Sequence, residues 1–116
     1  VSRAVKGCPR LKLWVVFGDR VKFGEGRAEL LEAVERLGSF KQAVEHMGMS
    51  YRAAWGYFRD LERAAGVKFL ERHPGRGPEG GTRLTPEGRR FVKQYRRFRT
   101  GLDGLVERHF KRSFSR

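Results

Sequence analysis

Arg52, Gly56, Arg59 and Arg63 follow one another at intervals of four, three and four residues. On a helix that spacing puts three guanidinium groups on one face, around a position that has no side chain. A guanidinium carries a rigid fork of donors, so it pairs bidentately with phosphate oxygens or with the O6 and N7 acceptors of guanine. A glycine in mid-helix costs about 1 kcal/mol relative to alanine, so Gly56 among the arginines points to a partner that approaches the backbone closely. An ordinary solvated helix face also carries charge. The surroundings therefore have to decide between the two readings.

Other chemistry finds little support. Cys8 is the sole cysteine, which leaves neither an intrachain disulfide nor a cysteine-based zinc site, and His46, His73 and His109 are too scattered to form a ligand cluster. No nucleophile, base and orienting group stand at a spacing that suggests catalysis. The chain is read as a non-enzyme without metal or cofactor. Gly75-Arg76-Gly77-Pro78-Glu79-Gly80 matches G-x-G-x-x-G in form. A dinucleotide site needs an apolar strand running into the first glycine and a helix starting within the motif, whereas His73-Pro74 precedes it and Pro78 and Gly81 bar the helix.

Charge supplies the surroundings. The 116 residues hold 26 Lys and Arg against 13 Asp and Glu, a net charge of +13. It is spread as +5 over residues 1–24, −1 over 25–66, +3 over 67–90 and +6 over 91–116. Clustered cations gain free energy by releasing the counterions condensed on a polyanion, so nucleic acid is the implied partner. At 39% hydrophobic residues the chain can pack one core, and its length suits one domain without a second, ligand-sensing one. No apolar run approaches membrane-spanning length, and the start lacks a signal-peptide core, which predicts a cytoplasmic protein.

The elements that must hold the arginine face follow from periodicity and capping residues. Residues 11–23 read as a strand pair split by a tight turn at Gly18-Asp19. From Glu25, Leu30, Leu31, Val34 and Leu37 recur at helical spacing until Gly38. Ser39 and Gln42 form a capping box for a second helix with Phe40, Ala43, Val44 and Met47 inward. Gly48 permits a sharp turn, and Ser50 caps a third helix over about 50–65 with Ala54, Phe58, Leu61 and Ala65 as its core face. Tyr51 and Trp55 lie on its flanks. The glycine-rich stretch 73–81 reads as the tip of a hairpin between strands near 67–70 and 82–84, with Arg76 at the tip.

Thr85-Pro86-Glu87 opens a long last helix, in which Phe91, Tyr95, Phe98, Leu102, Leu105 and His109 repeat as a coiled-coil seam. That stripe outruns what a small domain can cover, so a second subunit is the expected partner. Gly101 and Gly104 are read as a kink or an end, and residues 110–116 as a fraying tail. The expected organisation is a flexible terminus over 1–10, a winged helix-turn-helix over 11–88 and a dimerisation helix with basic tail over 89–116. The fold class is mainly α with a small β component.

Residues 38–62, GSFKQAVEHMGMSYRAAWGYFRDLE, resemble the helix-turn-helix of LysR-type regulators. The hexamer Ser50-Tyr51-Arg52-Ala53-Ala54-Trp55 more specifically resembles the N-terminal DNA-binding domain of the ModE family of bacterial molybdate-responsive regulators. The wing from Leu70-Glu71-Arg72 to Arg83-Leu84-Thr85-Pro86-Glu87-Gly88 fits the same pattern, and the likeness spans roughly residues 11–100. The resemblance implies a dimeric regulator that binds a pseudo-palindromic double-stranded operator. It places Ser50, Tyr51, Arg52, Trp55 and Arg59 on the recognition helix, Arg76 and Arg83 on the wing, and Ser39, Lys41 and Gln42 at phosphates; Arg63 joins them from the helical face. The sequence lacks the S-A-R-N type motif of the family's molybdate-binding part. A stand-alone regulator, or one served by a separate molybdate-binding protein, is the corresponding expectation. A non-specific architectural coat on DNA or RNA, and a winged helix used as a protein adaptor, are the competing readings.

Overall fold

The computed structural model describes residues 6–74 and 81–115. Arg76 and the other residues of 75–80 in the expected wing tip lie outside them, whereas His73 and Gly81, expected in the tip, belong to the flanking strands. Strands β1 (Val15–Phe17) and β2 (Val21–Phe23) pair antiparallel, with Val15 opposite Phe23 and Phe17 opposite Val21. The loop between them is therefore three residues, Gly18 to Arg20, rather than a two-residue turn, with Gly18 left-handed at φ 63°. Leu11 to Trp14, expected to belong to the first strand, have no regular structure.

Helices α1 (Glu25–Leu37), α2 (Phe40–His46) and α3 (Tyr51–Ala65) follow. Their ends fall where the side chains supply the missing hydrogen bonds. Ser39 Oγ accepts from the Gln42 amide at 3.1 Å and Ser50 Oγ from the Ala53 amide at 3.2 Å. Gly38 and Gly66 close α1 and α3 in the left-handed conformation that lacks a steric penalty for glycine alone. Leu30, Leu31 and Val34 of α1 meet Ala43 and Val44 of α2 and Phe58 and Leu61 of α3 in one core cluster.

Strands β3 (Leu70–His73) and β4 (Gly81–Leu84) form the second antiparallel pair, with Leu70 opposite Leu84 and Glu71 opposite Arg83. Pairing begins later than expected because the Phe69 and Leu70 amides donate to Glu62 Oε2, at 2.7 and 3.0 Å, and hold the preceding segment against α3. Helix α4 (Pro86–Phe114) starts at Thr85, whose Oγ1 accepts from the Gly88 amide at 2.9 Å and donates to the Lys68 carbonyl at 2.5 Å. Gly88 lies so close to the Phe69 carbonyl that a Cβ there would stand 2.4 Å from its oxygen.

Two expectations for α4 fail. It runs unbroken through Gly101 and Gly104 and does not fray at 110, and Arg99–Asp103 and Lys111–Glu107 pairs at 3.2 and 3.6 Å bridge turns on either side of Gly104. Secondly, Tyr95 is no seam residue: it is 2% exposed in the domain's own core, where Phe23 meets its ring edge-on at 5.3 Å. Phe91 is likewise taken up internally by Phe17, Phe23 and Phe69, with centroids 5.5, 4.8 and 5.4 Å away. The first turns of α4 thus belong to the core. Phe98 and Leu105, at 52% and 54% exposure, keep the outward position expected of them, and Leu102 is half-buried.

Candidate nucleic-acid interface

The arginine face of α3 is built by burying its opposite side. Ala54, Phe58 and Leu61 are 0–1% exposed, and this anchoring turns Arg52, Arg59 and Arg63 outward together. Arg63 makes an exposed pair with Asp60 at 3.6 Å, which leaves both groups largely in water. A Cβ added to Gly56 would meet nothing within 4 Å. The glycine therefore answers to no packing demand from its own chain.

Tyr51 and Trp55 stand at the edge of this face, 44% and 37% exposed. Both rest on Phe40, itself 3% exposed, with ring centroids 5.6 and 5.3 Å away in edge-to-face geometry. Phe40 opens α2, so the capping of α2 by Ser39 also fixes where the α3 aromatics point. A second brace holds the other flank of α3: the Tyr57 hydroxyl donates to the Lys22 carbonyl, and the Arg27 guanidinium lies 4.4 Å over the Tyr57 ring. Burial pushes the Tyr57 hydroxyl up to about 12, so it remains a donor throughout the physiological range.

Ser39, Lys41 and Tyr51 come together with Arg72 and with Gly81 and Thr82 of β4 around a cleft of about 290 Å³. Lys41 and Gln42 are exposed on the first turn of α2. Arg83 occupies the exposed face of β4, opposite Glu71. The structure thus brings the α2 residues, Tyr51 and the strand pair side by side, next to the Arg52, Arg59 and Arg63 face. Arg72 was missed from sequence: its guanidinium lies 5.9 Å from the Trp55 ring, and only the strand register reveals it. Helix α4 is locked to α1 by Arg96, which donates to Glu32 at 2.9 and 2.6 Å and to Glu25 at 2.6 Å, and by Arg89 on Glu35 at 2.9 Å. The Glu32 hydrogen bonds, ahead of those from Glu25, hold the Arg96 pKa above its ordinary value.

Among the described residues, no three His, Cys, Asp or Glu side chains gather as a metal site, and no helix is long and apolar enough to cross a membrane. Residues 26–89, from α1 to the first turn of α4, match the profile of the bacterial regulatory helix-turn-helix protein, lysR family. The chain belongs to that family. Its fold is accordingly a regulatory DNA-binding fold and not an enzyme's. Molybdenum transport protein ModE of Azotobacter vinelandii is 40% identical over 86 residues, covering 71% of this chain and 32% of that protein. Molybdenum-pterin-binding protein MopB of Rhodobacter capsulatus is 31% identical over 85 residues, covering 73% of this chain and 32% of that protein. The chain thus spans about a third of the length of these curated relatives.

Among solved structures, the CbnR DNA-binding domain in complex with DNA superposes with a TM-score of 0.51 at 28% identity, over 77% of this chain and 93% of that one. CbnR itself, a LysR family transcriptional regulator, gives 0.55 at 25% identity over 75% of this chain and 29% of that chain.

Proposed function

We propose that this chain binds a specific double-stranded DNA site as a homodimer and regulates transcription there. The carrying observation is the outward α3 face, where Arg52 and Arg59 flank a glycine whose Cβ position is open. Set into a major groove, this face offers two forks to base edges while Gly56 lets the helix backbone lie close. Lys41 and the β3–β4 pair flank it as phosphate contacts, and Ser39 and Gln42 fix the start of α2. The second subunit joins through Phe98, Leu102 and Leu105 on the half of α4 that projects past the core.

Selection of genomic fragments by the purified protein, at about 150 mM salt to suppress purely electrostatic binding, tests this reading. Recovery of a pseudo-palindrome with half-sites about one helical turn apart supports it; even recovery of all fragments supports an architectural coat instead. Arg52→Ala is expected to weaken the selected site by about 1–3 kcal/mol and scrambled DNA hardly at all. Equal losses on both would remove Arg52 from base reading. Molybdenum enters the reading through the names of the relatives, so the selected site is also titrated with molybdate. A response that requires an added molybdate-binding protein assigns sensing to that partner.

A further inference from the structure

The far half of α4 carries a second apolar flank beside the stripe of Phe98, Leu102 and Leu105. The helical step sets Val106, Phe110 and Ser113 about a quarter-turn round from that stripe. On this side the N-terminal segment lies against the helix. Its Pro9, Leu11 and Leu13 are half-buried in alternation with exposed Arg10 and Lys12, and Arg99 Nη2 donates to the Leu11 carbonyl at 2.5 Å. Between segment and helix opens a groove of about 500 Å³, with Pro9 on one wall, Val106, Phe110 and Phe114 on the other, and His109 and Ser113 as its polar lining. Unpaired cations adjoin it. Arg10 follows Pro9 and Arg112 precedes Ser113; both are exposed and, among the described residues, enter no ion pair. The two acids on this half of α4 are engaged, Asp103 with Arg99 at 3.2 Å and Glu107 with Lys111 at 3.6 Å.

We infer that this groove binds a small amphipathic anion, a free carboxylate on an acyl chain, with the chain along Val106, Phe110 and Phe114 and the carboxylate met by Arg10 and Arg112. An apolar pocket of several hundred Å³ with a few polar groups at its edge is the usual form of a small-molecule site. From Leu105 to Phe114 the lining follows the helix for about 13 Å, which suits a linear chain better than a single ring. The sign of the head group follows from charge. The two most basic stretches of the chain, +5 over residues 1–24 and +6 over 91–116, meet here. A free molecule fits better than a bilayer, because the N-terminal segment walls the groove on one side and a membrane surface needs an open face. No lining residue belongs to α3, β3 or β4, so the site stands apart from DNA reading.

The test is calorimetric titration of the full chain with octanoate, decanoate and dodecanoate, each below its micelle-forming concentration. Affinity is expected to rise about two- to fourfold with each added methylene, and dodecyltrimethylammonium, the same chain on a cation, is expected not to bind. Val106→Glu sets a carboxylate beside the chain and should weaken dodecanoate by more than about tenfold. Arg10→Ala with Arg112→Ala should weaken it about fivefold, whereas Lys93→Ala with Arg97→Ala, exposed on earlier turns of α4, removes the same charge and should leave it nearly unchanged. Equal affinity for dodecanoate and the ammonium, or in the parent and Val106→Glu, would overturn the site. A dodecanoate affinity that falls as protein concentration rises would give the groove to a second copy, and co-sedimentation with phosphatidylglycerol vesicles that Val106→Glu abolishes would give it to a membrane surface; either overturns the free ligand. A melting curve that matches the parent shows that Val106→Glu folds, and the head-group comparison needs no variant. A protein that selects a DNA site but ignores dodecanoate keeps regulation and loses this ligand. One that takes dodecanoate but selects no site does the reverse.

Discussion

Replacing Gly56 with alanine adds one methyl group to the outward face of α3 and separates two effects that usually travel together. In the free protein that methyl meets nothing within 4 Å, so it introduces no clash. Alanine is the better helix former by about 1 kcal/mol, and Gly56 has ordinary helical geometry, so the full gain is available. Thermal unfolding should rise by roughly 2–6 °C for a domain of this size. On DNA the sign reverses. If the helix backbone lies against the duplex at this glycine, the methyl holds α3 away from the groove and strains the Arg52 and Arg59 contacts on both sides. Displacing a closely packed surface by one methyl group typically costs about 1–3 kcal/mol, a loss of roughly 5- to 150-fold in affinity. The assay pairs a melting curve with a fluorescence-anisotropy titration on the selected site. A variant that is more stable and binds as well as the parent would refute the close approach and reduce Gly56 to an incident of the sequence. A less stable variant would show that the α3 face is not open.

Gly88→Ala tests the opposite case: its methyl would collide with the Phe69 carbonyl, forcing α4 off the β3 segment, and a loss of about 2–3 kcal/mol is expected in the unfolding free energy from urea titration. Unchanged stability would show that the segment yields freely. Arg96→Met removes three charge-assisted hydrogen bonds to carboxylates that stay about two-fifths exposed, so a loss of only about 1–2 kcal/mol is expected, shrinking in high salt. A loss insensitive to salt would mean that Arg96 acts through packing of its stem. Phe98→Asp leaves the core untouched and should give monomers in sedimentation; a dimer that survives unchanged would move the contact off this stripe.

Where a local signal sets a local outcome, the sequence was sufficient. Ser39, Ser50 and Thr85 each cap the helix that follows, and Gly38 ends α1, because each of these roles needs nothing beyond one turn of chain. The arginine face was legible for a related reason: the helical period fixes direction once Phe58 and Leu61 are inward. Strand direction was not. With strands of three or four residues, one position of register decides which face a side chain takes, and placing the strand at 67–70 left Arg72 unseen beside Trp55. The seam on α4 misled differently. A heptad stripe states that one flank is apolar throughout, but the cover changes along it, from the domain's own Phe23 and Phe17 at Tyr95 and Phe91 to open exposure at Phe98 and Leu105. Periodicity carries no information about where one cover ends.

Phe40 has a consequence for anyone wishing to redirect this domain to a new site. The aromatics at the edge of the arginine face do not stand on an inert platform; they lean on a ring that also packs against Phe58 in the core, 6.0 Å away. Exchanging Tyr51 or Trp55 in search of another specificity therefore removes an edge contact from the interior at the same stroke. Arg52 and Arg59 have no such tie and can be randomised with little effect on folding. A library for altered specificity should vary those two freely, and admit changes at Tyr51 and Trp55 only in a background stabilised beforehand.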